Sequence, residues 1–222
     1  MKITKELLRE KGACAAGYRD FLKEFPEEEY PDGVEYQDLL DCCAEKKFGY
    51  GSWLLSAFGR TDDVRKVDGD LITENSIIFA GRLEVSGSIK AGCGIKAGCG
   101  IKAGWGIEAG WGIEAGWGIE AGRGIEAGWG IEAGRGIEAG WGIEAGWGIE
   151  AGRGIEAGWG IEAGEGIEAG RGIEAGWGIE AGCEFGIYAG LRVRITSKYR
   201  KIIAKTKPEN IMCGEFVEAE NE

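Results

Sequence analysis

The chain has 222 residues, a net charge of −12 and no histidine. That length allows one small domain beside a repeat array. The acidity argues against direct nucleic-acid binding, and no apolar run reaches the roughly 18 residues that a membrane-spanning helix needs. The 43 glycines are periodic and interleaved with Ile and Ala, which excludes a disordered glycine-rich linker. Seven cysteines, odd in number and without metal or disulfide spacing, indicate a reducing compartment. With no apolar signal core in MKITKELLRE, the expected location is the cytoplasm, that of a host cell if the chain is phage-encoded.

Residues 1–70 predict a small helical domain. Thr4 can cap a helix over ITKELLREKG, which Gly12 ends. A second apolar stripe runs from Ala15 to Phe25 through Tyr18, Phe21, Leu22 and Phe25, and Pro26 stops it. Val34 to Lys46 makes a third helix with Tyr36, Leu39, Leu40 and Cys43 on one side. Tyr50 to Phe58 makes a fourth. The aromatic residues fall at helical spacing and read as core, and Glu27-Glu28-Glu29 reads as a solvated loop.

Residues 71–182 carry one hexad, repeated nineteen times from Leu71 to Ala181, whose usual form is Ile-Glu-Ala-Gly-Trp-Gly. A fixed short period means that each unit buries its face against copies of itself, which makes a solenoid. Ile and Ala lie two apart and share the inner side of a strand, and Glu points out. The glycines around the variable fifth residue suit corners of left-handed or crowded geometry. Three sides then close a triangular β-helix of about six 18-residue coils, in a mainly β protein. Reading every eighteenth residue collects the variable slot into three columns: Cys99, Trp117, Arg135, Arg153, Arg171; Cys93, Trp111, Trp129, Trp147, Glu165, Cys183; and Trp105, Arg123, Trp141, Trp159, Trp177. Arg and Glu cannot sit unpaired in an Ile/Ala core, so this slot faces solvent and the indoles should stack as ladders.

The outward Glu slot is acidic without interruption from Glu108 to Glu180, after Lys90, Lys96 and Lys102. Residues 103–182 contain four Arg against 14 Glu, which places −10 of the net charge there. Stacked like charges repel by about 1 kcal/mol per pair or less in water, so folding does not ask for them. Two accounts stand side by side: expansion of one repeat unit that copied its Glu, and a surface selected for its negative charge.

The ends depart from the hexad. Before Lys90, Ile72 and Ile78 replace Glu, and Phe79 and Val85 replace Ala, as if to pack on the helical domain. After Cys183-Glu184 the period breaks, LRVRIT alternates like an ordinary strand, and residues 198–207 are basic. Phe185, Tyr188 and Tyr199 are candidates to plug the open end, so residues 183–222 read as a cap or a dimerisation tail.

The stretch ITKELLREKGACAAGYRDFLKEFPEEEYPDGVEYQDLL resembles a short helical module that precedes repeat segments in proteins of bacteriophages and gut bacteria, with Gly-Ala-Cys-Ala and Phe-Pro its most specific parts. The array resembles hexapeptide-repeat β-helices in period, although Trp or Arg stands where their second small inward residue falls. Acyltransferases of that class rely on a His base, which this chain lacks. The surface resembles that of pentapeptide-repeat gyrase inhibitors, acidic solenoids that imitate duplex DNA. Bactofilin-type filament proteins are similar in architecture.

No Walker loop, Rossmann fingerprint or nucleophile elbow occurs, so no enzymatic activity, cofactor or metal site is expected. The resemblances and the Glu columns together imply a binding protein. The expectation is a phage-encoded, anti-CRISPR-like inhibitor of a nucleic-acid-processing defence enzyme, acting as an acidic mimic. Its partner-binding residues would be Glu108, Glu126, Glu144, Glu162, Glu114, Glu132, Glu150, Trp111, Trp129 and Trp147. The partner would be a protein, with neither nucleic acid nor membrane bound directly, and a homodimer is allowed. The alternative is a structural rod that assembles end to end or through its Trp ladders.

Overall fold

The computed structural model describes residues 1–182, 185–191 and 200–219. A helical head leads into a β-solenoid. Four helices form the head: α1 (Lys5–Glu10), α2 (Ala15–Glu24), α3 (Tyr36–Glu45) and α4 (Gly51–Phe58). Thr4 caps α1 as expected, its Oγ1 accepting from the Leu7 amide at 3.3 Å, and Gly12 follows with φ +78°. The third predicted helix starts two residues late. Val34–Glu35 is instead a short strand, antiparallel to Lys2–Ile3, which seals Ile3 and Val34 into the head core. Of the predicted α2 stripe, Phe21 is buried and Leu22 is exposed.

The head is fixed to the side of the solenoid through the strand Ile77–Phe79. Gln37 of α3 donates to the Ile78 carbonyl at 2.8 Å and accepts from the Ala80 amide at 3.2 Å. Ile78 packs into the head core, and a Cβ on Gly51 would meet its side chain at 2.5 Å. Ile78 therefore anchors the head, as its sequence position suggests. Ile72, in the equivalent slot of the preceding side, is exposed; no part of the head covers it.

Three parallel sheets of seven, eight and nine strands form the solenoid. Each strand pairs with the one 18 residues on, without a slip through the regular array: Ile107↔Ile125, Glu108↔Glu126, Ala109↔Ala127. The triangular β-helix is thus as expected, with about eight turns where six were anticipated. The additional strands lie outside the regular hexads. Val64–Val67 pairs with Arg82–Val85 before them, and Gly186–Ala189, Lys201–Ala204, Ile211–Cys213 and Glu215–Glu218 extend the sheets after them. Ile and Ala from all three sides fill the interior in one continuous core. Each fully buried Ile contributes about 1.5–3 kcal/mol.

The two glycines of a hexad have different duties, and neither uses a left-handed backbone, because no repeat glycine has positive φ. A Cβ on the first, such as Gly146, would lie 2.2 Å from the Gly128 carbonyl oxygen of the coil below. On the second, such as Gly148, it would lie 3.4 Å from the Gly166 oxygen. The first glycine is therefore a steric requirement of coil stacking, whereas a Cβ on the second, 3.2–3.5 Å from the facing oxygen between Gly94 and Gly160, asks for a shift of a few tenths of an ångström at most.

At the tail, Ile187, Ala189, Ile202 and Ala204 are fully buried and continue the core. Phe185 is exposed and Tyr188 occupies an outward slot, paired with Glu168, so neither plugs the end of the coil. The expected break at Cys183-Glu184, most of the LRVRIT strand (192–196) and Tyr199 fall outside the described residues. Among the described residues, no helix is long and apolar enough to cross a membrane.

Candidate acidic and aromatic faces

The in-register pairing turns each outward slot into a column running along the rod. Face 1 carries Lys90, Glu108, Glu126, Glu144, Glu162 and Glu180. Face 2 carries Lys96, Glu114, Glu132, Glu150 and Glu168, then Tyr188. Face 3 carries Lys102, Glu120, Glu138, Glu156 and Glu174, then Ile203. The three lysines sit on one coil next to the head, and each pairs with the first glutamate of its column. Lys90 reaches Glu108 at 2.6 Å, Lys102 reaches Glu120 at 2.5 Å, and Lys96 joins Glu114 and Ser52. Their hydrogen bonds raise the pKa values of Lys90 and Lys102. Farther along, no ion pair reaches Glu126, Glu144 or Glu162 among the described residues. Glu132 is held above the ordinary carboxylate value, first by burial and then by Glu114 and Glu150 on either side.

The corner between faces 1 and 2 holds Trp111, Trp129 and Trp147, with centroids 5.4 and 5.3 Å apart and planes within 6°. The corner between faces 3 and 1 alternates ring and cation. Arg123 lies between Trp105 (4.5 Å) and Trp141 (5.1 Å), then Trp159 and Trp177 follow, with Lys205 5.1 Å over Trp177. The corner between faces 2 and 3 has Trp117 sandwiched by Arg60 and Arg135, at 4.9 and 4.8 Å, before the other arginines. The other corner indoles are 47–65% exposed, so they form ladders open to water. The exception to an outward slot is next to the head. Cys93 and Cys99 are buried: the Cys99 thiol donates to the Thr61 carbonyl at 3.4 Å where the chain leaving the head passes its corner, and the Cys93 thiol, at the next corner, donates to the Glu74 carbonyl of the preceding coil at 3.8 Å.

The expected partner-binding residues divide between two faces. Trp111, Trp129 and Trp147 line one groove with Glu114, Glu132, Glu150, Glu165 and Glu168 of face 2. Glu108, Glu126, Glu144 and Glu162 belong to face 1, whose groove is walled by Arg123, Trp141 and Trp159. Each corner side chain thus covers the side that follows it in sequence. Sequence reasoning had no signal for that lean, nor for the placing of Phe185 and Tyr188 at the tail end of the face 2 groove. Glu165, the acidic residue in the corner slot, joins the same groove.

The faces differ in charge. The face 3 groove sets Arg82, Lys102, Arg135 and Lys201 against Glu120, Glu138, Glu156 and Glu174, so it is neutral. The face 2 groove sets Lys96, already paired, against five glutamates. Face 1 is similarly acidic, with Lys90, Arg123 and Lys207 against six glutamates and Asp70.

Residues 1–61 match the YdhT N-terminal domain; the match covers the head and stops short of the solenoid. No curated protein and no solved structure matches the chain significantly.

Proposed function

We propose that the chain is a non-enzymatic binding protein that occupies a basic, nucleic-acid-binding cleft of a partner protein with its acidic solenoid faces. One observation carries this reading, the linear charge density. Three glutamate columns advance together by one coil, about 4.8 Å, which is one carboxylate per roughly 1.6 Å of axis. Duplex DNA carries one negative charge per about 1.7 Å. With the arginines included, −10 over residues 103–182 still amounts to one net charge per about 2 Å. Faces 1 and 2 alone present two of the three columns, one carboxylate per about 2.4 Å, on a rigid frame, so a basic cleft could bind them without the cost of ordering a flexible chain. The neutral face 3 would point away. A phage-encoded inhibitor of a nucleic-acid-processing defence enzyme is the biological setting that this chemistry and the head's likeness to phage modules support best.

The test is capture of partners from bacterial lysate by the purified protein, in parallel with a variant reversed along face 1 (Glu126→Lys, Glu144→Lys, Glu162→Lys). Retained nucleic-acid enzymes that are released by duplex DNA and lost with the variant support the proposal. Retention that the reversal and the DNA leave unchanged overturns it. A structural rod is the competing reading, and it predicts recovery of the chain itself in assemblies indifferent to the reversal.

A further inference from the structure

Two of the three corner ladders are closed by cations of the chain itself. Arg123 fills the place between Trp105 and Trp141, and Lys205 covers Trp177. Trp117 has an arginine on either side. In the Trp111–Trp129–Trp147 ladder the next position along the corner is Glu165, whose amide donates to the Trp147 carbonyl at 2.9 Å. No cation stacks on Trp147 among the described residues. Around that end of the groove stand Glu168, Tyr188 at its pairing position, and exposed Phe185 next to Gly166. An indole face without a cation, a carboxylate one coil away and two further aromatic rings are what a guanidinium needs: a π surface to stack on and oxygens to accept its N–H groups.

We infer that the tail end of face 2, built by Trp147, Glu165 and Glu168 with Phe185 and Tyr188, is a site for an arginine side chain on a basic segment of the partner protein. The occupant follows from charge complementarity: among the described residues, the groove holds five glutamates and one lysine that is already paired. The inference rests on the proposal that the partner is basic and adds where one of its arginines is read.

The corner slot itself supplies the test, because it already accepts Trp, Arg, Cys and Glu in this chain, so exchanges among these keep the fold. Glu165→Arg places the chain's own cation beside Trp147, as Arg123 stands beside Trp105 and Trp141. Glu162→Arg makes the same charge change on face 1. Binding of nona-arginine is measured by calorimetry at 0.15 M salt, with the Trp147 indole N–H followed by NMR. The expected result is a loss of about tenfold or more in affinity with Glu165→Arg, a change of under about threefold with Glu162→Arg, and a selective shift of the Trp147 resonance in the unsubstituted protein. Trp147→Cys should weaken binding in the same direction as Glu165→Arg. Equal losses from Glu162→Arg and Glu165→Arg, or no shift at Trp147, would overturn the site and leave only diffuse attraction. The outcomes separate this inference from the proposed function. Site-specific nona-arginine binding without capture of any nucleic-acid enzyme defeats the function alone, and enzyme capture undiminished by Glu165→Arg defeats the site alone.

Discussion

Faces 1 and 3 share one backbone, one core and one register, yet one is strongly acidic and the other neutral. The difference comes from Arg82 on the face 3 groove and from Asp70, Glu180 and Glu209 on the face 1 groove, since each groove holds one corner arginine, Arg135 or Arg123. Shape and surface are thus set by separate residues. Ile, Ala and the first glycine of each hexad build the coil, and the second and fifth positions decorate it without disturbing it. A solenoid of this kind can change its surface charge by substituting a single slot per hexad.

That separation can be broken most severely at the glycines. Gly146→Ala should cost about 3 kcal/mol or more, because its Cβ meets a backbone oxygen that cannot move without unstacking two coils. Gly148→Ala should stay within about 1 kcal/mol, since 3.4 Å is ordinary packing. Denaturant melts of the pair decide the matter, and equal losses would refute the division of duties. A smaller effect should come from the columns. Repulsion among stacked carboxylates is screened by salt, so the melting temperature should climb as sodium chloride is raised from 0.01 to 0.5 M. Acid should act in the same direction. The folded pKa of Glu132 lies above its ordinary value of 4.5, so its ionised form opposes folding. Stability should then increase as the pH falls through that raised pKa towards 4.5, and be lost again as it rises. Glu132→Gln should flatten part of this trend, whereas a melting temperature that falls steadily from pH 7 to 5 would contradict it. The last change concerns the ladder. Trp129→Cys removes the central ring of three stacked indoles and should cost about 1 kcal/mol per lost ring pair. The far-ultraviolet exciton couplet of the parallel rings should weaken with it. An unchanged couplet would mean that the rings are not stacked in solution.

Much of this architecture was legible because the hexad obeys strand alternation and corner chemistry together. Ile inside, Glu outside and a triangular cross-section follow from spacing alone. The additional turns are not legible from a strict period of six. The triplets Ile187-Tyr188-Ala189 and Ile202-Ile203-Ala204 keep the same Ile-x-Ala pattern, but insertions between them hide the phase. The burial of Cys99 could not be read either, since it depends on where the chain leaves the head. For the candidate site, the columns were readable one by one. What was not readable was which corner leans over which face, and so the list of Glu and Trp residues mixed two grooves. The side-chain lean is a property of the coil's three-dimensional turn and leaves no mark on the spacing.

Whether the acidic faces stand in for nucleic acid is decided by capture from bacterial lysate at low and high salt. A nuclease, helicase or other nucleic-acid enzyme should be retained at low salt and released by high salt or by competing duplex DNA. Recovery of the chain alone, in assemblies that salt does not disperse, would contradict it and identify the rod as a structural element.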